Sequence, residues 1–412
     1  MLIDCHLISE HSSQGVIDAH PLIREYFAKQ LREQNPTGWR AAHKRLYEYL
    51  KDSTEYQPDT LEDLQPLYQA VAHGCQAGLH QKACDDVYYT RILRGTEADG
   101  FYSTRKLGAF GTDLAAVSCF FEHPWNRLAP GISEPAQGWL LNQVACWLHA
   151  LGRLTEALEP MRAGLPIELK RGDWENAAIR ASNLSVLELT LGRVADAVRD
   201  AENSVEYADR SGDAFQRMSQ RTAHANALHQ AGQSDDALRR FGEAEVMQAE
   251  NQSKYPLLYS LQGFHYCDLL LAEAERAAWQ CTAGFQPVSK HGQAARTSLI
   301  ARCREVEKRA AQTLGWSEGE LGLLSRAWLR TVEGDFENAR ADLNDAWEIA
   351  ERGPMPLFIA DIHLYRARLF RREREYPWTS PKDDLTAARK LIDECGYHSR
   401  DAELADAEAA IA

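Results

Sequence analysis

Cysteine and histidine are the side chains here best suited to metal or nucleophilic chemistry, and their spacing argues against both. Nine cysteines are scattered singly through 412 residues with no Cys-x-x-Cys. The compact Cys/His pairs are Cys146 with His149, His265 with Cys267, and Cys395 with His398. A structural zinc site needs four converging ligands, and none of these pairs has a matching second pair nearby, so no metal is expected. Single, scattered thiols fit reduced cysteines in a cytoplasmic protein better than a disulfide framework. No nucleophile elbow, H-E-x-x-H, Gly-rich dinucleotide loop or G-x-x-x-x-G-K-[ST] occurs. The acidic residues read as solvated helix faces. The sequence therefore predicts neither catalysis nor a bound cofactor.

Composition narrows the partners. A formal net charge of −14 disfavours a nucleic-acid backbone, which wants a basic surface. The basic stretches at 290–309 and 366–375 are interleaved with acids and read as solvated helix faces. No run reaches the roughly 18 apolar residues of a membrane span, and no basic-then-apolar leader opens the sequence. With 26% charged and 44% hydrophobic residues the chain has a globular composition. Protein or peptide is the partner class that remains, with no nucleic acid and no membrane.

The elements that would position any binding residues are legible as a repeat. A pattern of Gly or a small residue, x, apolar, x, x, Ala, three residues, bulky recurs: GRLTEALEPM from Gly152, GRVADAVRDA from Gly192, GQSDDALRRF from Gly232, AEAERAAWQC from Ala272 and GDFENARADL from Gly334, with a worn copy, DDLTAARKLI, from Asp383. The alanines of the first four, Ala157, Ala197, Ala237 and Ala277, stand 40 residues apart. The motif resembles the tetratricopeptide repeat, a helix-turn-helix with a usual period of about 34 residues. Glycine permits the tight turn, alanine lets two backbones approach, and the bulky residue fills the groove against the neighbouring pair. That slot holds Met161, Ala201, Phe241, Cys281 and Leu343. An apolar helical stripe precedes each motif, so the expectation is an all-α, right-handed superhelical array of helix pairs with period 40. Its expected extent is 130–412, with an inserted helix near 291–315 and an Ala- and acid-rich capping helix at the C-terminus. Residues 37–129 read as a helical linker or N-terminal helical repeats.

Residues 1–36 read differently. Two short apolar runs flank EHSSQG, a hairpin signal, and HPLIREYFAKQL follows with Pro21 placed to start a helix. This junction, together with YSTRKLGAFGTDL, NLSVLELTLGR, DRSGDAFQRM, PLLYSLQG and GYHSRDAELADAEAAI, resembles the sensor region of bacterial STAND signal-transduction NTPases of the NACHT/NB-ARC type. The resemblance implies that the hairpin is the wing of a winged helix. It also implies that the chain is the ligand-recognition half of a defence or stress switch, with an NTPase or effector encoded alongside. The absent phosphate-binding loop means that ATP hydrolysis is not carried over to this chain.

In stacked helix pairs the first helix of each pair lines the concave surface. Positions about 3, 6 and 10 residues before each turn share one helical face. They are His149, Cys146 and Asn142; Leu189, Val186 and Ser182; His229, Asn226 and Thr222; and Leu269, Tyr266 and Gln262. Side-chain amides beside apolar and aromatic groups suit an extended peptide. Tyr102, Arg105 and Lys106, near glycines in FYSTRKLGAF, form a second candidate, an interface loop. Two other functions fit the same features: a free-standing scaffold, and a small-molecule-sensing regulator of transcription.

Overall fold

The computed structural model describes residues 8–11, 16–96, 100–280, 301–302, 304–306, 308–309, 312, 323–353, 355–371, 373 and 375–411. Over these residues the chain is all-α apart from two small antiparallel ribbons. It divides into two compact units, Met1–Ala136 and Gln137–Ala412.

In the first unit, β1 (Ile8–His11) pairs with β2 (Val16–Ala19), with Ile8 opposite Ala19 and His11 opposite Val16. Pro21 opens α1 (Pro21–Gln34), where its missing N–H costs nothing. The next helix, α2 (Pro36–Ser53), is capped by Asn35, whose side chain accepts from the Gly38 amide at 2.8 Å. Helix α3 (Leu61–Gln76) follows, and then α4 (His80–Lys82) runs into a π-helical stretch, Ala83–Ile92. The unit ends with α5 (Tyr102–Arg105), α6 (Phe110–Ser118) and the ribbon of β3 (Phe121–His123) and β4 (Arg127–Leu128). Leu64, Leu67, Val71, Val87, Tyr88 and Phe120 form its fully buried interior. Asp113 is buried there too, accepting from the Tyr68 hydroxyl at 3.0 Å and the Ser103 hydroxyl at 3.1 Å.

The second unit is built from helix pairs: α7 (Glu134–Ala150) with α8 (Leu154–Arg171), α9 (Trp174–Thr190) with α10 (Val194–Ser211), and α11 (Ala214–Gln230) with α12 (Ser234–Asn251). One device closes the first helix of each. Gly152, Gly192 and Gly232 take φ of 72°, 72° and 76°, the left-handed region that glycine enters without a Cβ penalty. The next amide then reaches back to the helix, Arg153 to the Leu148 carbonyl at 2.8 Å, Arg193 to Glu188 at 2.7 Å and Gln233 to Leu228 at 2.9 Å. Between pairs, Gly172 and Gly212 end the second helices the same way, and Asp173 and Asp213 cap the helices that follow by accepting from the Asn176 and Gln216 amides. The repeat alanines Ala157, Ala197, Ala237 and Ala339 are fully buried, as close helix approach requires.

The fourth pair departs from the expectation. No turn forms at Ala272, and α13 (Ser260–Gln280) runs straight through it. The position that is glycine in the three preceding copies is alanine here, inside LLLAEAERAA, a run of strong helix formers that gains nothing by entering the left-handed region. The segment AEAERAAWQC is thus mostly the end of a first helix. The inserted helix expected near 291–315 lies largely outside the described residues, but its Arg309 is placed. Arg309 makes a two-pronged ion pair to Glu245 of α12 (2.6 and 2.8 Å), and its guanidinium lies 4.5 Å from the centre of the Tyr266 ring.

Further pairs follow, α14 (Leu323–Glu333) with α15 (Phe336–Arg352) and α16 (Pro356–Phe370) with α17 (Pro381–Cys395), and then α18 (Asp401–Ile411). The last helix packs Leu404 and Ala407 against Leu364, Leu385 and Ala388. This end returns to the first pairs. A Cβ at Gly152 would lie 2.6 Å from Pro356 and 2.8 Å from Cys395, and one at Gly192 would lie 3.2 Å from His398.

Candidate functional site

First helices of successive pairs lie side by side. The Asn183 amide of α9 donates to the Asn142 carbonyl oxygen of α7 at 3.3 Å. Leu189 and Ala227 join α9 and α11 in one apolar cluster. His229 of α11 meets Asp268 of α13, Nε2 to Oδ2, at 3.5 Å.

Of the face expected from the sequence, Asn142, Cys146, His149, Ser182, Asn226, His229, Gln262 and Tyr266 are all half-buried. Burial pushes the Cys146 thiol up to about 11 against the opposing pull of the Arg180 guanidinium, so it is a poor nucleophile. Burial likewise lowers the pKa of His149. Three positions turn inward. Leu189 is buried in the cluster with Ala197, Ala201 and Ala227, and Leu269 in the cluster with Leu228 and Phe241. Thr222 is buried as well and donates to the Ser219 carbonyl of its own helix at 2.6 Å. Tyr266 packs flat on Phe241, with ring centres 4.8 Å apart and planes 7° from parallel, and carries Arg309 above it. It serves the contact between α12 and α13.

The large apolar side chains that reach solvent on these helices are Val186, Phe215, Leu261 and Phe264, each between 40% and 54% exposed. Phe215, Leu261 and Phe264 escape a reading that counts back from turns. Their signal is an apolar residue out of phase with the buried stripe of its helix. Val186 sits one turn from Ser182 and Asn183; Phe215, Ser219 and Asn226 follow one another at helical spacing. Each of these two helices thus carries an exposed apolar group on the same face as amides or hydroxyls.

The second candidate is tied down. The Tyr102 hydroxyl donates to the Asp59 carbonyl at 3.0 Å, and the Arg94 guanidinium lies 3.4 Å from the centre of its ring. Arg105 rests 5.0 Å from the centre of the Phe101 ring, and Arg105 and Lys106 are exposed. Tyr102 therefore anchors the loop, and Arg105 and Lys106 are the parts a partner could reach.

One buried acid stands where the repeat wants leucine. Glu188 occupies the position of Leu148 and Leu228, 40 residues away on either side, and is fully buried. Arg162 donates to it at 2.7 Å. Burial first, and then the neighbouring Asp200 carboxyl, raise its pKa to about 7 against the pull of Arg162. A folded-state pKa above the unfolded value means that the native chain binds the extra proton, so stability falls as pH rises from about 4.5 to about 7 and then levels. Measured by denaturant unfolding, wild type should lose about 1–3 kcal/mol relative to Glu188→Gln across that window. Parallel pH profiles for the two proteins would refute this reading of Glu188.

Among the described residues no three His, Cys, Asp or Glu are gathered as a metal cluster, and no helix is long and apolar enough to cross a membrane. The fold and its exposed face define an α-helical repeat protein with antiparallel pairs in the manner of a tetratricopeptide array. Two solved structures are similar to it: a Rap protein complexed with competence and sporulation factor, at 12% identity and a TM-score of 0.48 over 91% of this chain and 95% of that one, and a STAND protein with a tetratricopeptide-repeat sensor from Pyrococcus horikoshii, at 13% identity and a TM-score of 0.38 over 97% of this chain and 60% of that one. No protein-family model and no curated protein matches the sequence.

Proposed function

We propose that this chain binds a protein segment or peptide along the first helices of its second unit and acts as a cytoplasmic sensor or scaffold without catalysis of its own. The observation that carries the reading is the exposure of Val186, Phe215, Leu261 and Phe264 on first helices that also carry Asn183, Asn226 and Gln262. Apolar groups supply the driving force for burial on binding, and side-chain amides can pair with the main chain of an extended ligand whatever its sequence. The finer reading, ligand recognition for a STAND-type switch with an NTPase or effector encoded alongside, is supported by the HPLIREYF junction and the phrases similar to it. Ligand in the groove would then bias a two-state equilibrium in that partner, which requires different affinities for its two states.

Selection from a displayed random-peptide library on the full-length chain tests the groove. Peptides enriched on wild type should lose affinity about thirty-fold on a Phe215→Ala/Phe264→Ala protein, the size of a central apolar hot spot. Both side chains are more than 40% exposed, so the variant should fold normally. Equal binding to both proteins would move the site elsewhere, and a library with no enrichment would count against peptide recognition altogether.

A further inference from the structure

In the first unit, α1 turns its charged face inward. An amphipathic helix ordinarily lays its apolar stripe on the body of the protein. Here Leu22, Tyr26, Phe27 and Leu31 stand in solvent, each between 41% and 68% exposed, and α1 buries no side chain. Glu25, Ala28, Lys29 and Arg32, which share one helical face, instead line a cavity of about 430 Å³ against α2 and α3. The same cavity is lined by Trp39 and His43 of α2 and by Ala72 and His73 of α3. The Trp39 and His43 rings lie 4.1 Å apart between centres, and the Nδ1 atoms of His43 and His73 are 2.8 Å apart.

We propose that this cavity binds a small aromatic carboxylate, its ring against Trp39 and its acid group on Lys29 and Arg32. The volume lies within the range of about 300–1,000 Å³ usual for small-molecule sites. The charge is right for a monoanion. Burial lowers the pKa of His43, with His73 adding to the effect, and burial lowers that of His73. The imidazole pair is therefore neutral at neutral pH, and Lys29 and Arg32 outweigh Glu25 by one positive charge. A guanidinium fork matches a carboxylate with two parallel hydrogen bonds. Ala28, Ala72 and the Trp39 ring give the rest of the wall an apolar character that suits a flat hydrocarbon ring. Such a ligand would touch α1 on one side and α2 and α3 on the other, and so fasten a helix that has no buried side chain of its own.

Ligand-observed NMR titration of the full-length protein with 2-naphthoate tests this, with acetate as the acid without the ring and 2-naphthol as the ring without the acid. The expected result is one saturable site for 2-naphthoate, at least about tenfold tighter than for either control. Arg32→Gln and Trp39→Leu should each weaken binding about tenfold. Glu25→Gln should strengthen it about threefold by removing the opposing charge. Amide exchange of residues 21–34 should slow when 2-naphthoate binds. Far-UV circular dichroism confirms that each variant folds. Lys29 and Arg32 are exposed, so Lys29→Gln/Arg32→Gln provides a folded variant even if Trp39→Leu unfolds. No saturable binding by wild type, or equal binding by the folded Lys29→Gln/Arg32→Gln protein, would overturn the assignment. Equal binding of 2-naphthol would overturn it too, since apolar contact alone, as on the exposed side of α1, would then account for the affinity.

Discussion

Arg180→Ala should lower the unfolding free energy of the second unit by about 3–5 kcal/mol. Arg180 and Glu168 are both almost entirely buried between α7, α8 and α9, and one Glu168 oxygen accepts from Arg180 Nη2 at 2.8 Å and from its Nε at 3.2 Å. Removing the guanidinium leaves a buried carboxylate with Arg171 as its remaining partner, 2.8 Å from the other oxygen and partly in water. The packing around the pair shows how closely it is fitted. A Cβ at Gly138 would lie 2.3 Å from Glu168 Oε1, and one at Gly164 would lie 3.1 Å from Arg180 Nη1. These glycines give the ion pair its room. Arg180→Met combined with Glu168→Leu should recover most of the loss, because two apolar side chains of similar volume need no charge compensation. Denaturant titrations of the three proteins, compared at equal m, measure both effects. A cost below about 1 kcal/mol for Arg180→Ala would mean that the pair is hydrated in solution.

Phe241→Ala carries a similar expected cost, about 3–5 kcal/mol. Phe241 sits in the bulky slot of the repeat, fully buried in a cluster with Ala225, Leu228, Leu258 and Leu269, and it is the surface on which Tyr266 stacks. Truncation removes apolar area from water-free packing and leaves a cavity between α11, α12 and α13. The equivalent positions are also buried but hold Met161, Ala201 and Leu343, so the expected cost is specific to a site built around an aromatic ring. Repeat arrays transmit strain mainly to nearest neighbours. Amide exchange in Phe241→Ala should therefore accelerate in α11 to α13 and change little in α16 to α18. Uniform acceleration would show instead that the array unfolds as one cooperative body.

Helix pairing was legible in the sequence because a helix and a turn are local. The stripes of apolar residues, the glycines at 152, 192, 232 and 334 and the alanines five residues after each need only neighbours in sequence to express themselves, and the structure places them as that logic requires. The hairpin before Pro21 follows from the same kind of signal. The turn expected at Ala272 failed for an equally local reason: the count by 40 treated alanine as equivalent to glycine, and alanine does not favour a positive φ.

The binding face was legible only in outline. Periodicity marks which helices share a surface, but a shift of one residue turns a side chain by 100°, enough to bury Leu189 and Thr222 and to leave Phe215, Leu261 and Phe264 in solvent. Tyr266 shows the limit best, since Phe241 on one side and Arg309 on the other come from helices 25 and 43 residues away in the chain. By itself the sequence determined an all-α chain of helix pairs with a small hairpin, because propensity, capping and turn chemistry act within a few residues. Tertiary structure alone decided that Glu168 meets Arg180, that His43 meets His73, that Gly152 and Gly192 receive the C-terminal helices, and which apolar groups stay exposed. Those contacts join distant segments whose approach is set by packing volume and by burial of charge, quantities that no single helix encodes.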